Sequence, residues 1–236
     1  MSVEIRLPNE TNRTVVMGST GSGKSIAGMW HVSRQNFDQM PWTLHNPKGD
    51  EFIEQLIDEK LVTVVDFHKK PPKKPGLYVI NPIPFDDDDD AAVEKYMINM
   101  FHDGYHGFYS DEGTMINKKS RAYKAFMTQG RQKRIPVITC TQRPVDLQRV
   151  VFSEASFFQV FAMNDERDTL TAQAFIGKEG RRLVNQGLPA YHSVWFDVGG
   201  GAGKGATSVF SPVPSPDAIL ETFRTRCGKR QQRKTL

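Results

Sequence analysis

Eight consecutive residues limit this chain more than any other feature: Gly18-Ser19-Thr20-Gly21-Ser22-Gly23-Lys24-Ser25. They match G-x-x-x-x-G-K-[ST] at every fixed position, the pattern of a backbone loop that wraps a phosphate. Glycines let successive N–H groups point inward at one anion. A helix starting near Lys24 aims the positive end of its dipole at the same place. The flanks supply the required context. Thr14-Val15-Val16-Met17 reads as a strand, and Ile26, Met29, Trp30 and Ser33 fall at helical spacing. The chain must therefore hold a strand, a glycine loop and a helix in direct succession. In that unit Lys24 is expected to neutralise the β- and γ-phosphates of a nucleotide, and the Ser25 hydroxyl to ligate Mg²⁺.

The rest of the chain repeats the alternation. Strands are predicted at 42–44, 61–67, 77–80, 108–109, 137–141 and 157–163, with helices over 51–60, 91–101, 118–130 and 166–175. Val3, Ile5 and Leu7 alternate with polar residues, which predicts one more short strand ended by Pro8-Asn9. Residues 191–198 and 207–210 flank a glycine-rich turn and read as a hairpin. This order predicts an α/β fold with a mostly parallel sheet, helices on both faces and an antiparallel hairpin at the C-terminal edge. At 236 residues a single domain over 1–222 is expected, followed by a basic C-terminal tail at 223–236.

Composition excludes several classes. No apolar stretch approaches the roughly 18–20 residues of a membrane span. The N-terminus lacks the basic-then-apolar pattern of a signal peptide. Two cysteines, Cys140 and Cys227, are too few for a secreted disulfide framework, so a reducing, cytoplasmic setting is expected. The six histidines show no metal-ligand spacing.

A formal net charge of +4 conceals a strong asymmetry. Asp86 to Asp90 form an unbroken acidic run, whereas residues 113–149 carry nine Lys and Arg against Asp146 alone. Basic clusters of this kind neutralise phosphates and release counterions, although a solvated surface reads the same way. The aspartate run predicts a solvated loop that caps the following helix. Consecutive carboxylates do not converge on one ion as spaced loop ligands do.

Two further segments complete a candidate site. In Phe108-Tyr109-Ser110-Asp111-Glu112-Gly113, a carboxylate at the strand end can hold Mg²⁺, which suits Asp111. The adjacent Glu112 can orient and deprotonate an attacking water. Thr141-Gln142 ends the next strand, where Gln142 can sense the γ-phosphate or position that water. Arg131 and Arg143 can stabilise transferred charge across a subunit boundary, or equally serve as DNA or salt-bridge residues. Residues 199–205 imitate the phosphate loop but lack its first glycine and its final hydroxyl, so they read as a hairpin tip available for a pore or partner contact.

GSTGSGKS, then HNPKGDE after a strand, FYSDEG, and TQGRQKRIPVITCTQRP together resemble the HerA/FtsK superfamily of pumping ATPases. Gly130-Arg131 and Thr141-Gln142-Arg143-Pro144 match its motifs residue by residue, whereas Asn46 stands where the family commonly has Asp, with Lys48 and Gly49 retained. The resemblance implies a RecA-like (ASCE) P-loop NTPase that hydrolyses ATP with Mg²⁺ and forms a ring, expected to be a hexamer. The small size and lack of appendages are similar to the genome-packaging ATPases of membrane-containing, tailless double-stranded DNA viruses. That implies double-stranded DNA and capsid or packaging-vertex proteins as partners, and the host cytoplasm and virion as the place of action. An ATP-dependent assembly switch without motor activity and a small-molecule kinase stand as alternatives; the Glu112 next to Asp111 speaks against the kinase.

Overall fold

The computed structural model describes residues 5–200 and 205–233. In chain order the elements are β1 (Arg13–Met17), α1 (Lys24–Ser33), β2 (Pro41–His45), α2 (Glu51–Asp58), β3 (Thr63–Val64), β4 (Gly76–Ile80), α3 (Asp87–Asp103) and β5 (Gly107–Ser110). Then come α4 (Arg121–Gln129), β6 (Val137–Thr141), α5 (Arg149–Ser153), β7 (Phe157–Val160), α6 (Glu166–Gln173), α7 (Gly177–Asn185), β8 (Ser193–Asp197), β9 (Ala206–Phe210) and α8 (Pro216–Arg233). The strands form one sheet in the order β3-β4-β2-β5-β6-β1-β7-β8-β9. Pairing is parallel from β3 through β7, and β8 and β9 are added antiparallel at one edge.

Successive strand side chains point to opposite faces, and both faces are covered, so the strands read as continuous apolar runs. In β1, Val15 and Met17 enter one core with Phe108, Tyr123, Phe126 and Phe158, under α3 to α7. Val16 enters the other, with Leu44, Val79, Tyr109 and Cys140, under α1, α2 and α8. At about 25 cal/mol per Å², each such aromatic contributes roughly 2–3 kcal/mol of burial. Because β1 lies between β6 and β7, with Met17 opposite both Thr141 and Val160, the loop that follows it emerges at the middle of the sheet's C-terminal edge.

The structure departs from the sequence expectations in four places. Residues 5–9 form no strand, and Arg6 instead donates to the Asp197 carboxylate at 2.8 Å; Val3 lies outside the described residues. Of the stretch 61–67 only Thr63–Val64 pairs with a neighbour. The aspartate run is not a loop. Asp86 is the N-cap, accepting from the N–H groups of Asp88 and Asp89, and Asp87 to Asp90 form the first turn of α3 where the helix dipole favours them. Finally, a boundary at 222/223 falls inside α8: Phe223 is fully buried, and Arg224 and Arg226 bind Glu59 and Asp38. The tip at 201–204 lies outside the described residues.

Candidate nucleotide site

The glycine loop has the backbone its sequence requires. Gly21 and Gly23 sit at φ 75° and 95°, in the left-handed region that disfavours other residues. The loop is fastened at both sides, Gly18 N–H to the Thr141 carbonyl and Ser19 N–H to the Ala162 carbonyl. The start of α1 has no side-chain cap and no acidic residue in its first turn, which leaves its N–H groups for an anion. The Ser22 hydroxyl is buried without a partner among the described residues. Ser19, Thr20, Gly21, Gly23, Lys24 and Ser25 line a cleft of about 580 Å³, closed on the far side by Asp50, Gln55, Gln142 and Tyr191. Lys24 is buried at its floor.

The acidic pair sits where β5 ends, on the same sheet edge. Asp111 is buried, its N–H bound to the His45 carbonyl and its Oδ1 accepting from the Tyr109 hydroxyl at 3.0 Å. Glu112 is buried too and accepts from the Lys48 ammonium at 3.0 Å, the Thr114 hydroxyl at 2.9 Å and the Gln142 N–H at 3.2 Å. Gly113 permits the turn, since a Cβ there would stand 2.4 Å from Thr139 Cγ2. Gln142 also accepts from the Thr20 hydroxyl at 2.7 Å. The Asp50 carboxyl, which caps α2, is held above its usual range by burial and by neighbouring Asp111, against the pull of Lys24. Burial first, then Cys140 and Asp111, push the Tyr109 hydroxyl well up. That keeps Tyr109 neutral as a donor to the carboxylate.

The loop, Asp111, Glu112 and Gln142 thus come together, and Arg143 lines an adjoining cavity with Ser19, Thr20 and Gln142, whereas Arg131 lies apart. Arg143 leaves the same edge, but its guanidinium is engaged by the buried Asp168 at 3.2 Å and by Asp146 at 3.8 Å. Arg131 precedes β6 and so lies at the opposite, N-terminal edge, beside Arg134, which pairs with Glu10. The five-residue strands put roughly 15 Å between the two edges. The Arg13 guanidinium at the start of β1, held below its usual value by burial, is lowered further by Arg131. Thr114 and Asp50 join the site without having been singled out from sequence, and Lys48, noted there only as a retained motif residue, joins it too. Lys48 had a signal, its place in Lys-Gly-Asp directly after a strand; Thr114 had none.

Ser25 and Asp111 would hold Mg²⁺. Both offer oxygen, the donor that Mg²⁺ prefers, and Mg²⁺ commonly takes one or two protein oxygens with phosphate and water completing its shell. Among the described residues no group of three or more His, Cys, Asp or Glu is placed to hold a metal ion.

This parallel sheet, with its central phosphate loop and acidic strand end, defines the α/β fold of a P-loop NTPase. Solved structures similar in fold include the genome packaging NTPase B204 from Sulfolobus turreted icosahedral virus 2 with AMPPCP (TM-score 0.63, 17% identity, 87% of this chain and 100% of that one). VirB4 of Thermoanaerobacter pseudethanolicus gives a TM-score of 0.62 at 9% identity, over 88% of this chain and 90% of that one. No family model matches. The DNA packaging ATPase P9 of Enterobacteria phage PRD1 is 40% identical over 225 residues, covering 93% of this chain and 95% of the relative. The chain belongs to the family of that packaging ATPase, and it is an ATPase.

Proposed function

We propose that the chain is a motor that drives double-stranded DNA into a preformed capsid, working as a ring, expected to be a hexamer, at the packaging vertex in the infected host. The observation that carries the reading is the convergence of Lys24, Asp111, Glu112 and Gln142 on one edge while Arg131 faces away at the other. Lys24 binds the β- and γ-phosphates, and Ser25 and Asp111 would hold Mg²⁺, which would add charge neutralisation there. Glu112 takes a proton from water as the water oxygen bonds to the γ-phosphorus, and the bond to the ADP oxygen breaks. Gln142, touching both the loop and Glu112, is placed to register the γ-phosphate. Arg131 cannot reach its own cleft, which supports a role at the nucleotide of a neighbouring subunit.

Lys119, in the turn before α4, and Arg121 and Lys124 at the start of that helix lie exposed, and none has a carboxylate within salt-bridge distance among the described residues. A cationic face of this kind suits sequence-independent contact with a phosphate backbone. The test is steady-state hydrolysis with and without linear duplex at two salt concentrations, with Glu112→Gln as control. Stimulation by duplex that fades with salt is expected. Hydrolysis indifferent to duplex, even with empty capsids added, would replace the motor by an assembly switch.

A further inference from the structure

The Lys48–Glu112 contact is built rather than incidental. Lys48 stands in the turn between β2 and α2, and Asn46 fixes that turn from inside. The buried Asn46 accepts the Asp50 N–H on its Oδ1 at 2.8 Å, closing residues 46–50 into a loop. Its Nδ2 donates to Glu54 at 2.9 Å and to Asn81 at 3.3 Å, and its own N–H binds the Ile80 carbonyl. Gly49, at φ 64°, allows the reversal. An Asp at position 46 could make neither donation and would place a carboxylate against Glu54. That accounts for an amide here in place of the acid common to the wider superfamily.

The turn delivers the Lys48 ammonium to Glu112, whose side chain is only 2% exposed and therefore needs a compensating partner. An ionised carboxylate has about four acceptor positions. Lys48 and the Gln142 N–H occupy Oε2, and the Thr114 hydroxyl occupies one position on Oε1. One position on Oε1 remains.

We propose that Lys48, set by the Asn46-pinned turn, is a positioning residue that holds Glu112 so that the remaining acceptor position of Oε1 receives the attacking water's proton. This rests on the reading of Glu112 as the base. Lys48 does not touch the nucleotide on this account, so its loss strikes turnover and spares binding.

The experiment measures kcat and the Kd for a fluorescent ATP analogue in the full-length wild type, Lys48→Met, Lys48→Arg, Asn46→Asp and Glu112→Gln, with a thermal melt of each. Lys48→Met is expected to lower kcat by about tenfold or more with Kd within about twofold, and Lys48→Arg to restore most of the loss. Asn46→Asp, which keeps Lys48, is expected to repeat the kcat-specific loss and gives a second reading if Lys48→Met does not fold. The proposal is overturned by near-wild-type kcat in Lys48→Met, by a proportionate loss in Kd, or by Lys48→Arg performing no better than Lys48→Met. Glu112→Gln separates the two levels: normal turnover there removes the base assignment itself, whereas a dead Glu112→Gln beside an active Lys48→Met removes only the role of Lys48.

Discussion

Thr20 and Gln142 are joined side chain to side chain, Oγ1 to Oε1 at 2.7 Å, across the gap between the phosphate loop and the end of β6. Through its own N–H, Gln142 also holds Glu112 at 3.2 Å. A movement of the loop around a γ-phosphate is therefore passed to the base through one residue. Gln142→Ala should retain ATP binding and lose about ten- to a hundredfold in kcat. A Kd change as large as the kcat change would make Gln142 a binding residue instead.

Lys24→Ala should abolish productive nucleotide binding, because among the described residues no other ammonium lines the cleft. Glu112→Gln should bind ATP normally and turn over about 10²–10⁴ times more slowly. Equilibrium binding and single-turnover hydrolysis distinguish the two phenotypes; normal hydrolysis by either variant would remove that residue from the site.

Arg131 yields a complementation test. Arg131→Ala alone should lose about a thousandfold in kcat, and Lys24→Ala alone should be inactive. Mixed, they form junctions that pair an intact cleft from one subunit with an intact arginine from the other, so activity should reappear. Mixed oligomers that stay inactive would count against a trans-acting Arg131.

Stability should fall in mild acid. Burial pulls His31 down to about 4, and His45 and His106 down to about 3, from the ordinary 6.5. The unfolded chain binds protons at these imidazoles below pH 6.5 and the folded chain does not. Their contribution is therefore intact above that pH and is lost as pH falls towards 4. The linkage slope is about 1.4 kcal/mol per unit per histidine, or roughly 6 kcal/mol for all three by pH 5. Denaturant melts at pH 7.5 and 5 test this, and equal midpoints would contradict neutral burial of the three.

If the exposed basic residues at the start of α4 and in the turn before it track DNA, Lys119→Ala and Lys124→Ala should each weaken duplex binding irrespective of sequence. Each should also reduce the slope of log K against log salt by about 0.9. Unchanged slopes would move the DNA surface elsewhere.

Much of this was legible before any coordinates. The phosphate loop is a local backbone device, and strand 137–141 coincides with β6 because Val-Ile-Thr-Cys-Thr is β-prone and closed by Pro144. What stayed hidden depends on distant partners. α7 (Gly-Lys-Glu-Gly-Arg-Arg-Leu-Val-Asn) buries only Gly180 fully and packs just Leu183 and Val184, half-buried, against the core, so it carries little apolar signal. α8 was masked by its charges, since the Ile219, Leu220 and Phe223 stripe is short and the arginines beside it read as a tail until Glu59 and Asp38 are brought near. The apolar alternation at Val3, Ile5 and Leu7 mimics a strand, yet no described strand pairs with residues 5–9. The contact of Lys48 with Glu112 spans 64 positions and had no local trace.

The placement of Arg131 on the far edge of the sheet carries a further consequence for how fuel is used. On the trans-acting reading, a solitary chain owns one half of each of two furnaces and a whole one of neither. Protein concentration then becomes an ignition control: specific activity should climb as dilute chains find one another, and nucleotide is spared until an assembled machine is in place to use it.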